Sequence, residues 1–144
     1  MKLKEIIVLP KRAIPQLESP LYWAMISVVT LENTWPENSD QNCKKTLRLA
    51  FHDADPNCFD TTGYEDELFD EKRANLICDF VNEIKDEVDM LVVHCEAGVS
   101  RSPAIAGAIS KFMFDDDSKF FKSPYTPNMY VYRKLLETYF KYHK

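Results

Sequence analysis

The sequence is poor in several features that mark special classes of protein. Only three of its 144 residues are glycine, which excludes collagen-like and glycine-rich repeats. No apolar run approaches the roughly 20 residues of a membrane-spanning helix. The apolar run near the amino terminus covers only residues 6–9, whereas a secretory signal needs roughly 7–15 apolar residues. We therefore expect a cytoplasmic protein with no membrane partner.

Positive charge is also scarce. The chain has 18 Lys and Arg residues against 23 Asp and Glu residues, and its formal net charge is −5. Such a balance gives no general attraction to nucleic acid or to anionic membrane surfaces. We expect no nucleic-acid partner, and an anionic substrate would require a local positive site.

Paired cysteines are absent as well. Cys43, Cys58, Cys78 and Cys95 are far apart in sequence, so neither a zinc ribbon nor a CxxC redox motif is supported. In a reducing compartment they are expected to be free thiols. Cys78 falls in a helical pattern and is predicted to be a core residue, whereas Cys43 and Cys58 are predicted to lie in loops.

The pattern along the chain predicts alternating strands and helices. Hydrophobic residues make up 45% of the chain, as in globular proteins, and its length fits a single domain over residues 1–144. Periodicity predicts strands at 4–9, 24–31, 46–51 and 90–93, and helices at 66–87, 102–114 and 127–139. This order is typical of an α/β domain with a central, mainly parallel sheet flanked by helices. The wholly apolar strand at 90–93 is expected at the centre of the sheet, with both faces buried.

The residues after that strand carry a motif with chemical meaning. His94, Cys95, Gly98, Arg101 and Ser102 spell H-C-x-x-G-x-x-R-S, and ligands of parallel sheets bind beyond the carboxyl ends of strands. Backbone N–H groups and a helix N-terminus form an anion cradle there. Glycine allows a positive φ and a close approach of backbone to ligand, and arginine donates to two oxygens at once. Because such surroundings lower the pKa of a thiol, the motif predicts an oxyanion cradle with Cys95 as a thiolate nucleophile.

This segment closely resembles the signature loop of the cysteine-dependent protein tyrosine phosphatases. Its form HCxAGxSRSP is most similar to the dual-specificity branch of that superfamily. Residues 47–53 (LRLAFHD) resemble the strand that ends in the general-acid aspartate of the branch. Pro127-Asn128 and the helix after them resemble its C-terminal helix. The resemblance covers roughly residues 46–142, and the first 45 residues match only in a coarse strand pattern.

The resemblance implies a role for each matched position. Cys95 would form a phosphocysteine intermediate, Arg101 would clamp the phosphate, and Ser102 would hydrogen-bond the sulfur. His94 would hold the loop without touching substrate, and Asp53 would protonate the leaving group and then activate water. The substrate cradle would be lined by the backbone of six loop residues: Glu96, Ala97, Gly98, Val99, Ser100 and Arg101.

Several of these assignments have alternatives. Asp55 competes with Asp53 as the general acid, because the loop after the strand is longer than the usual spacing of the family. Ser102 is also a candidate N-cap of its helix. Glu96 is expected to be exposed, where it either repels acidic flanks of a substrate or does nothing. His143, the residue before the last, is expected to be disordered.

The resemblance implies a phosphomonoester hydrolase, either a protein tyrosine phosphatase or a dual-specificity phosphatase. Its partner would be a phosphorylated protein or peptide, and the chain is expected to be a monomer. No metal and no other cofactor is expected, because the loop itself stabilises the developing charge. Two alternatives stay open. One is a phosphatase for a non-protein ester, such as a phosphoinositide or a nucleotide or RNA end, although the loop lacks lysine. The other is an inactive module that binds phosphoproteins.

Overall fold

The computed structural model describes residues 1–144 and confirms the predicted α/β class. Three short 3-10 turns lie at Lys11–Ala13, Glu65–Glu67 and Ser118–Phe121. No helix is long and apolar enough to cross a membrane. In chain order the main elements are β1 (Glu5–Pro10), β2 (Trp23–Val29), β3 (Cys43–Ala50), α1 (Glu71–Ile84), β4 (Met90–Cys95), α2 (Arg101–Phe114) and α3 (Met129–Tyr142).

The four strands form one sheet in the order β1-β4-β2-β3, and every neighbouring pair is parallel. β4 lies between β1 and β2, so that Val93 pairs with both Val8 and Ile26. This central place confirms the prediction from the apolar run at 90–93. Because all strands run the same way, their carboxyl ends meet at one edge, where the segment after β4 begins.

Both faces of the central strands are buried, but the helices cover only one of them. β2 and β4 are buried at every position. Leu91 and Val93 pack into the core shared with α1, α2 and α3, whereas Val92 packs with Trp23 and Ile14 on the opposite face. That face is covered by the segment after β1, where prolines at 10, 15 and 20 prevent a long helix. The prediction of a parallel sheet flanked by helices is therefore confirmed, with the three helices on one face and a proline-rich segment on the other.

The first helix begins later than periodicity predicted. Asp70 occupies the N-cap, and its carboxylate accepts a hydrogen bond from the Arg73 N–H at 2.9 Å. Residues 65–67 form a separate 3-10 turn. Phe69 and Val88 are buried but lie outside the helix, and Leu76 is 43% exposed. The predicted helix over 66–87 was therefore too long at both ends. The apolar periodicity extends beyond α1, but the Asp70 cap fixes where the helix begins.

The loop before β3 is also shorter than the sequence predicted. Cys43 is the first residue of β3 and is half-buried, so its predicted loop position was wrong. Cys58 is exposed in a loop and Cys78 is buried in α1, as predicted. His143 is not disordered, because its Nε2–H donates to the Asn75 Oδ1 at 2.7 Å.

Candidate active site

Cys95 is the last residue of β4 and lies at the base of the signature loop, residues 94–102. The residue is 3% exposed. Its Sγ accepts a hydrogen bond from the Gly98 N–H at 3.3 Å and lies 3.0 Å from the Ser102 Oγ. α2 begins at Arg101 with Ser100 at its N-cap position, so Ser102 is inside the helix. The serine therefore contacts the sulfur instead of capping the helix.

Neighbouring segments of the chain hydrogen-bond to the carbonyl groups of the signature loop and leave most of its N–H groups free. Of the N–H groups of residues 96–100, only that of Gly98 has an acceptor within the protein, the Cys95 sulfur. The other N–H groups are free to form an anion-binding nest. Three carbonyl oxygens of the loop accept hydrogen bonds from neighbouring segments: Glu96 O from the Lys11 N–H at 3.1 Å, Val99 O from the Thr126 N–H at 2.8 Å, and Ser100 O from the Asn128 N–H at 3.0 Å.

Gly98 is required by its conformation and by its neighbours. Its φ is +78°, in the left-handed region that favours glycine. An added Cβ would lie 3.0 Å from the Pro10 N and 3.1 Å from the Leu9 C, which are backbone atoms. The positive φ was predicted. The close approach of Gly98 to the end of β1 was not foreseen from the sequence, and its approach to a ligand stays a prediction.

Arg101 is almost fully buried and has an unused donor. The residue is 4% exposed, and its Nη1 donates to the Phe51 carbonyl at 2.8 Å. Its Nε is buried and has no hydrogen-bond acceptor. A buried donor without an acceptor is rare and costs free energy. An oxyanion bound in the loop would accept the Nε–H, and a guanidinium group can donate to two oxygens of one anion at once.

His94 holds the loop from the opposite face of the sheet. Its Nδ1 lies 3.2 Å from the Cys95 carbonyl, which can only accept, so Nδ1 carries the proton. The neutral ring then accepts a hydrogen bond at Nε2 from the Ser27 hydroxyl. Burial is the main cause that lowers the pKa of His94 below its usual value. Ser27 lies in an apolar strand and was not identified from the sequence.

Asp53, and not Asp55, is held against the signature loop. The Asp53 Oδ1 accepts hydrogen bonds from the Ser100 Oγ at 2.8 Å and the Asn128 Nδ2 at 2.9 Å. Its Oδ2 has no hydrogen-bond partner within the protein. The Asp55 Oδ1 instead accepts from the Asn57 N–H at 2.8 Å and stabilises a local turn. Of the two candidate acids, only Asp53 contacts the loop that contains Cys95.

Asn128 links this acid to a helix. Its amide also donates to the Ala54 carbonyl at 3.2 Å, and its Oδ1 accepts from the Val131 N–H as the N-cap of α3. One side chain therefore fixes the start of α3, the Asp53 carboxylate and the next backbone carbonyl. The Pro-Asn pair was noted in the sequence, but its contact with Asp53 was not foreseen.

Glu96 is a structural anchor and not a free surface charge. Its carboxylate accepts from the Asn33 Nδ2 at 2.9 Å and the Thr30 N–H at 3.3 Å, and lies 3.8 Å from the Lys11 Nζ. Burial raises the pKa of Glu96, but these hydrogen bonds and the charge of Lys11 outweigh it, so the pKa lies below its usual value. The expected exposure was wrong, because Glu96 ties the loop after β2 to the signature loop.

Two of the other thiols are poorly suited to redox chemistry. Burial raises the pKa of Cys78 to about 12 and also raises that of Cys43. The thiolate is the reactive form of cysteine. Because both thiols stay protonated near neutral pH, neither Cys43 nor Cys78 is suited to attack an oxidised Cys95.

Comparison with known proteins establishes the fold. No protein-family model and no curated protein matches the sequence. Human DUSP28 matches in structure with a TM-score of 0.58 and 15% identity, over 92% of this chain and 90% of that chain. The human tyrosine phosphatase-like serine/threonine/tyrosine-interacting protein matches with a TM-score of 0.57 and 18% identity, over 84% and 78%. PTPMT1 matches with a TM-score of 0.50 and 16% identity, over 84% and 77%. The chain thus has the fold of the dual-specificity branch of the cysteine-dependent phosphatases.

Proposed function

We propose that the protein is a phosphomonoester hydrolase that acts through a phosphocysteine intermediate, with phosphorylated protein or peptide as its substrate. One arrangement carries the proposal: Cys95 lies at the base of a loop with free backbone N–H groups, beside an unpaired Arg101 donor. A sulfur nucleophile beside an anion cradle is suited to attack on the phosphorus atom of a phosphate ester.

In the first step, the phosphate oxygens bind the loop N–H groups and the Arg101 guanidinium. The Cys95 sulfur attacks phosphorus, so that an S–P bond forms while the bond to the leaving oxygen breaks. Asp53 gives its proton to that oxygen, which leaves as an alcohol or phenol. Ser100 and Asn128 hold Oδ1 of this carboxyl group and leave Oδ2 available for the proton.

In the second step, a water molecule attacks the phosphorus and Asp53 takes its proton. The S–P bond breaks and inorganic phosphate is released. The departing sulfur receives hydrogen bonds from the Gly98 N–H and the Ser102 hydroxyl, which lie 3.3 and 3.0 Å away. These donors stabilise the thiolate leaving group and regenerate the starting enzyme.

The charge around the site favours protein substrates over polyphosphorylated ones. Residues 53–71 contain eight Asp and Glu residues and no Lys, Arg or His. This acidic segment begins at Asp53 itself and repels ligands that carry several phosphates. Since the loop interior also contains no lysine, a phosphoinositide or nucleotide phosphatase is the weaker proposal.

Binding without turnover is the second candidate function. One protein of the same fold is named a phosphatase-like interacting protein. Such a module would hold a phosphorylated residue in the signature loop and release no phosphate. The presence of Cys95, Arg101 and Asp53 at one site favours hydrolysis.

Hydrolysis of p-nitrophenyl phosphate tests the proposal. We expect the wild-type protein and a Cys58→Ser control to release phosphate, since Cys58 is exposed outside the site. Cys95→Ser should release none but still bind a phosphotyrosine peptide, because the cradle is unchanged. Wild-type protein that binds the peptide without turnover would establish the binding module instead. Peptides with phosphotyrosine, phosphoserine or phosphothreonine then define the substrate.

A further inference from the structure

A cleft opens directly beside the signature loop. Its volume is about 400 Å³, within the range of sites that hold small ligands or single side chains. Asp53 and Ser100 belong both to the cleft and to the candidate active site, so the cleft borders the signature loop. We call it the Phe59 cleft. Its walls are Asp53, Asp55, Phe59, Ser100, Pro127, Asn128 and Met129.

The walls combine apolar surface with two carboxylates, of which that of Asp55 takes no part in the proposed chemical steps. Phe59 is 67% exposed, and Pro127 and Met129 supply further apolar surface from the start of α3. One oxygen of Asp55 accepts the Asn57 N–H, and the other makes no hydrogen bond. An apolar stem with a cationic end matches these walls, because the stem packs on carbon while the cation faces the ring and the carboxylate.

The surrounding charge has the same sign as the carboxylate. Within the acidic segment 53–71, the ion pairs are Glu67 with His52 and Asp70 with Arg73. Asp55 has no cationic partner. Arg133 and Lys134 line a separate depression with Asn57 and do not line the Phe59 cleft. The walls of the cleft therefore carry two acidic residues and no basic residue.

We propose that the Phe59 cleft binds the side chain of an arginine or lysine next to the phosphorylated residue of a peptide substrate. The proposal rests on the proposed function, because the phosphate in the signature loop places the neighbouring residue at the cleft. It defines the substrate class as phosphopeptides with a basic flank. It also assigns specificity to Phe59 and Asp55, which take no part in the chemical steps.

Matched phosphotyrosine peptides test the subsite. They differ only at the residues directly before and after phosphotyrosine, which are Arg, Leu, Ala or Glu. A cation–π contact and an exposed ion pair together predict a kcat/KM for the Arg peptides about 3- to 30-fold above that of the Ala peptides. We expect the Glu peptides to be the poorest. A preference for Leu would show a purely apolar cleft, and equal rates for all peptides would show no subsite, so both results would overturn the proposal.

Variants assign the effect to the cleft. Phe59→Ala and Asp55→Asn should each reduce the ratio of Arg to Ala peptide rates, and Asn at 55 retains the acceptor for the Asn57 N–H. Asp60→Asn is the matched control, since Asp60 lies in the same loop outside the cleft and its Oδ1 accepts the Thr62 N–H as the Asp55 Oδ1 accepts the Asn57 N–H. A ratio unchanged in Phe59→Ala and Asp55→Asn, or equally reduced in Asp60→Asn, would refute the assignment.

Two further measurements separate this proposal from the proposed function. p-Nitrophenyl phosphate has no flanking residue, so its hydrolysis reports on the chemistry alone. Binding of the same peptides to the Cys95→Ser protein reports on the cleft even without turnover. Arg peptides that bind this variant no better than Ala peptides would overturn the subsite, whatever the catalytic result. Tighter binding of Arg peptides with no hydrolysis would support the subsite and refute the hydrolase.

Discussion

Asn128 contacts the proposed general acid and caps α3 through separate atoms of one side chain. Its amide nitrogen donates to Asp53 at 2.9 Å and to the Ala54 carbonyl at 3.2 Å. Its oxygen accepts the Val131 N–H at 3.2 Å and caps α3. Asn128→Ala removes all three contacts. Asn128→Ser retains an oxygen suited to capping but has no amide to reach Asp53.

The two variants should differ in stability and agree in activity. Loss of an N-cap costs about 0.5–2 kcal/mol, so we expect about 1 kcal/mol for Asn128→Ala and a few tenths for Asn128→Ser. Both lose one of the two hydrogen bonds that hold the Asp53 carboxyl group, while the bond from Ser100 stays. A loss of about 1.4 kcal/mol in positioning corresponds to a tenfold lower kcat in both variants.

Urea denaturation followed by circular dichroism measures the first quantity, and turnover of a phosphotyrosine peptide measures the second. p-Nitrophenyl phosphate is the control substrate, because its leaving group departs with little help from an acid, and we expect a smaller loss there. Wild-type kcat in Asn128→Ser, with a loss confined to the destabilised Asn128→Ala, would show that Asn128 is only a helix cap.

Three more predictions follow from the site. Asp53→Asn should lower kcat by about 10²–10⁴-fold with little change in KM, and Asp55→Asn by less than about tenfold; the reverse order in steady-state assays would make Asp55 the acid. Arg101→Lys should lower kcat/KM at least about 100-fold, because an ammonium group cannot form the two-oxygen clamp, and wild-type kcat/KM would exclude the clamp. Burial lowers the pKa of His94 below 6.5. Below pH 6.5 the unfolded chain therefore binds a proton that the folded protein does not, and the free energy of unfolding falls by up to about 1.4 kcal/mol per pH unit until the folded pKa is reached. Between pH 7.5 and 5.5 the free energy of unfolding should fall less in His94→Asn than in the wild-type protein. An equal fall in both proteins would contradict His94 as the cause.

The sequence predicts the parts of this protein that depend on local pattern. The apolar run at 90–93 identifies the central strand because burial on both faces leaves no polar position. The spacing of His94, Cys95, Gly98, Arg101 and Ser102 identifies the signature loop, since the loop is continuous in sequence. The positive φ of Gly98 also follows from its place in the motif.

The parts that depend on distant contacts could not be predicted. Glu96 meets Asn33 across 63 positions of sequence, and Asn128 meets Asp53 across 75. Neither pair leaves a periodic signal, because each contact is made by a single side chain. Ser27 is likewise hidden in an apolar strand, although a lone polar residue at a buried position indicates a partner on a neighbouring strand.

The choice between Asp53 and Asp55 also required the fold. Both follow the same strand by a few residues, and both are polar loop residues in sequence. The structure separates them because the Asp55 Oδ1 accepts a nearby N–H, while Asp53 contacts Ser100 and Asn128. Their difference lies in tertiary contacts and not in residue type.

The phosphoryl-enzyme intermediate tests the central claim most directly. In Asp53→Asn, p-nitrophenyl phosphate should still phosphorylate the enzyme, whereas hydrolysis should be slowed because no carboxylate activates water. Rapid acid quenching and peptide mapping by mass spectrometry locate the trapped group. The account predicts one phosphoryl group on Cys95, absent when Cys95 is also replaced by serine. A phosphoryl group on any other residue, or turnover with none trapped on Cys95, would contradict it.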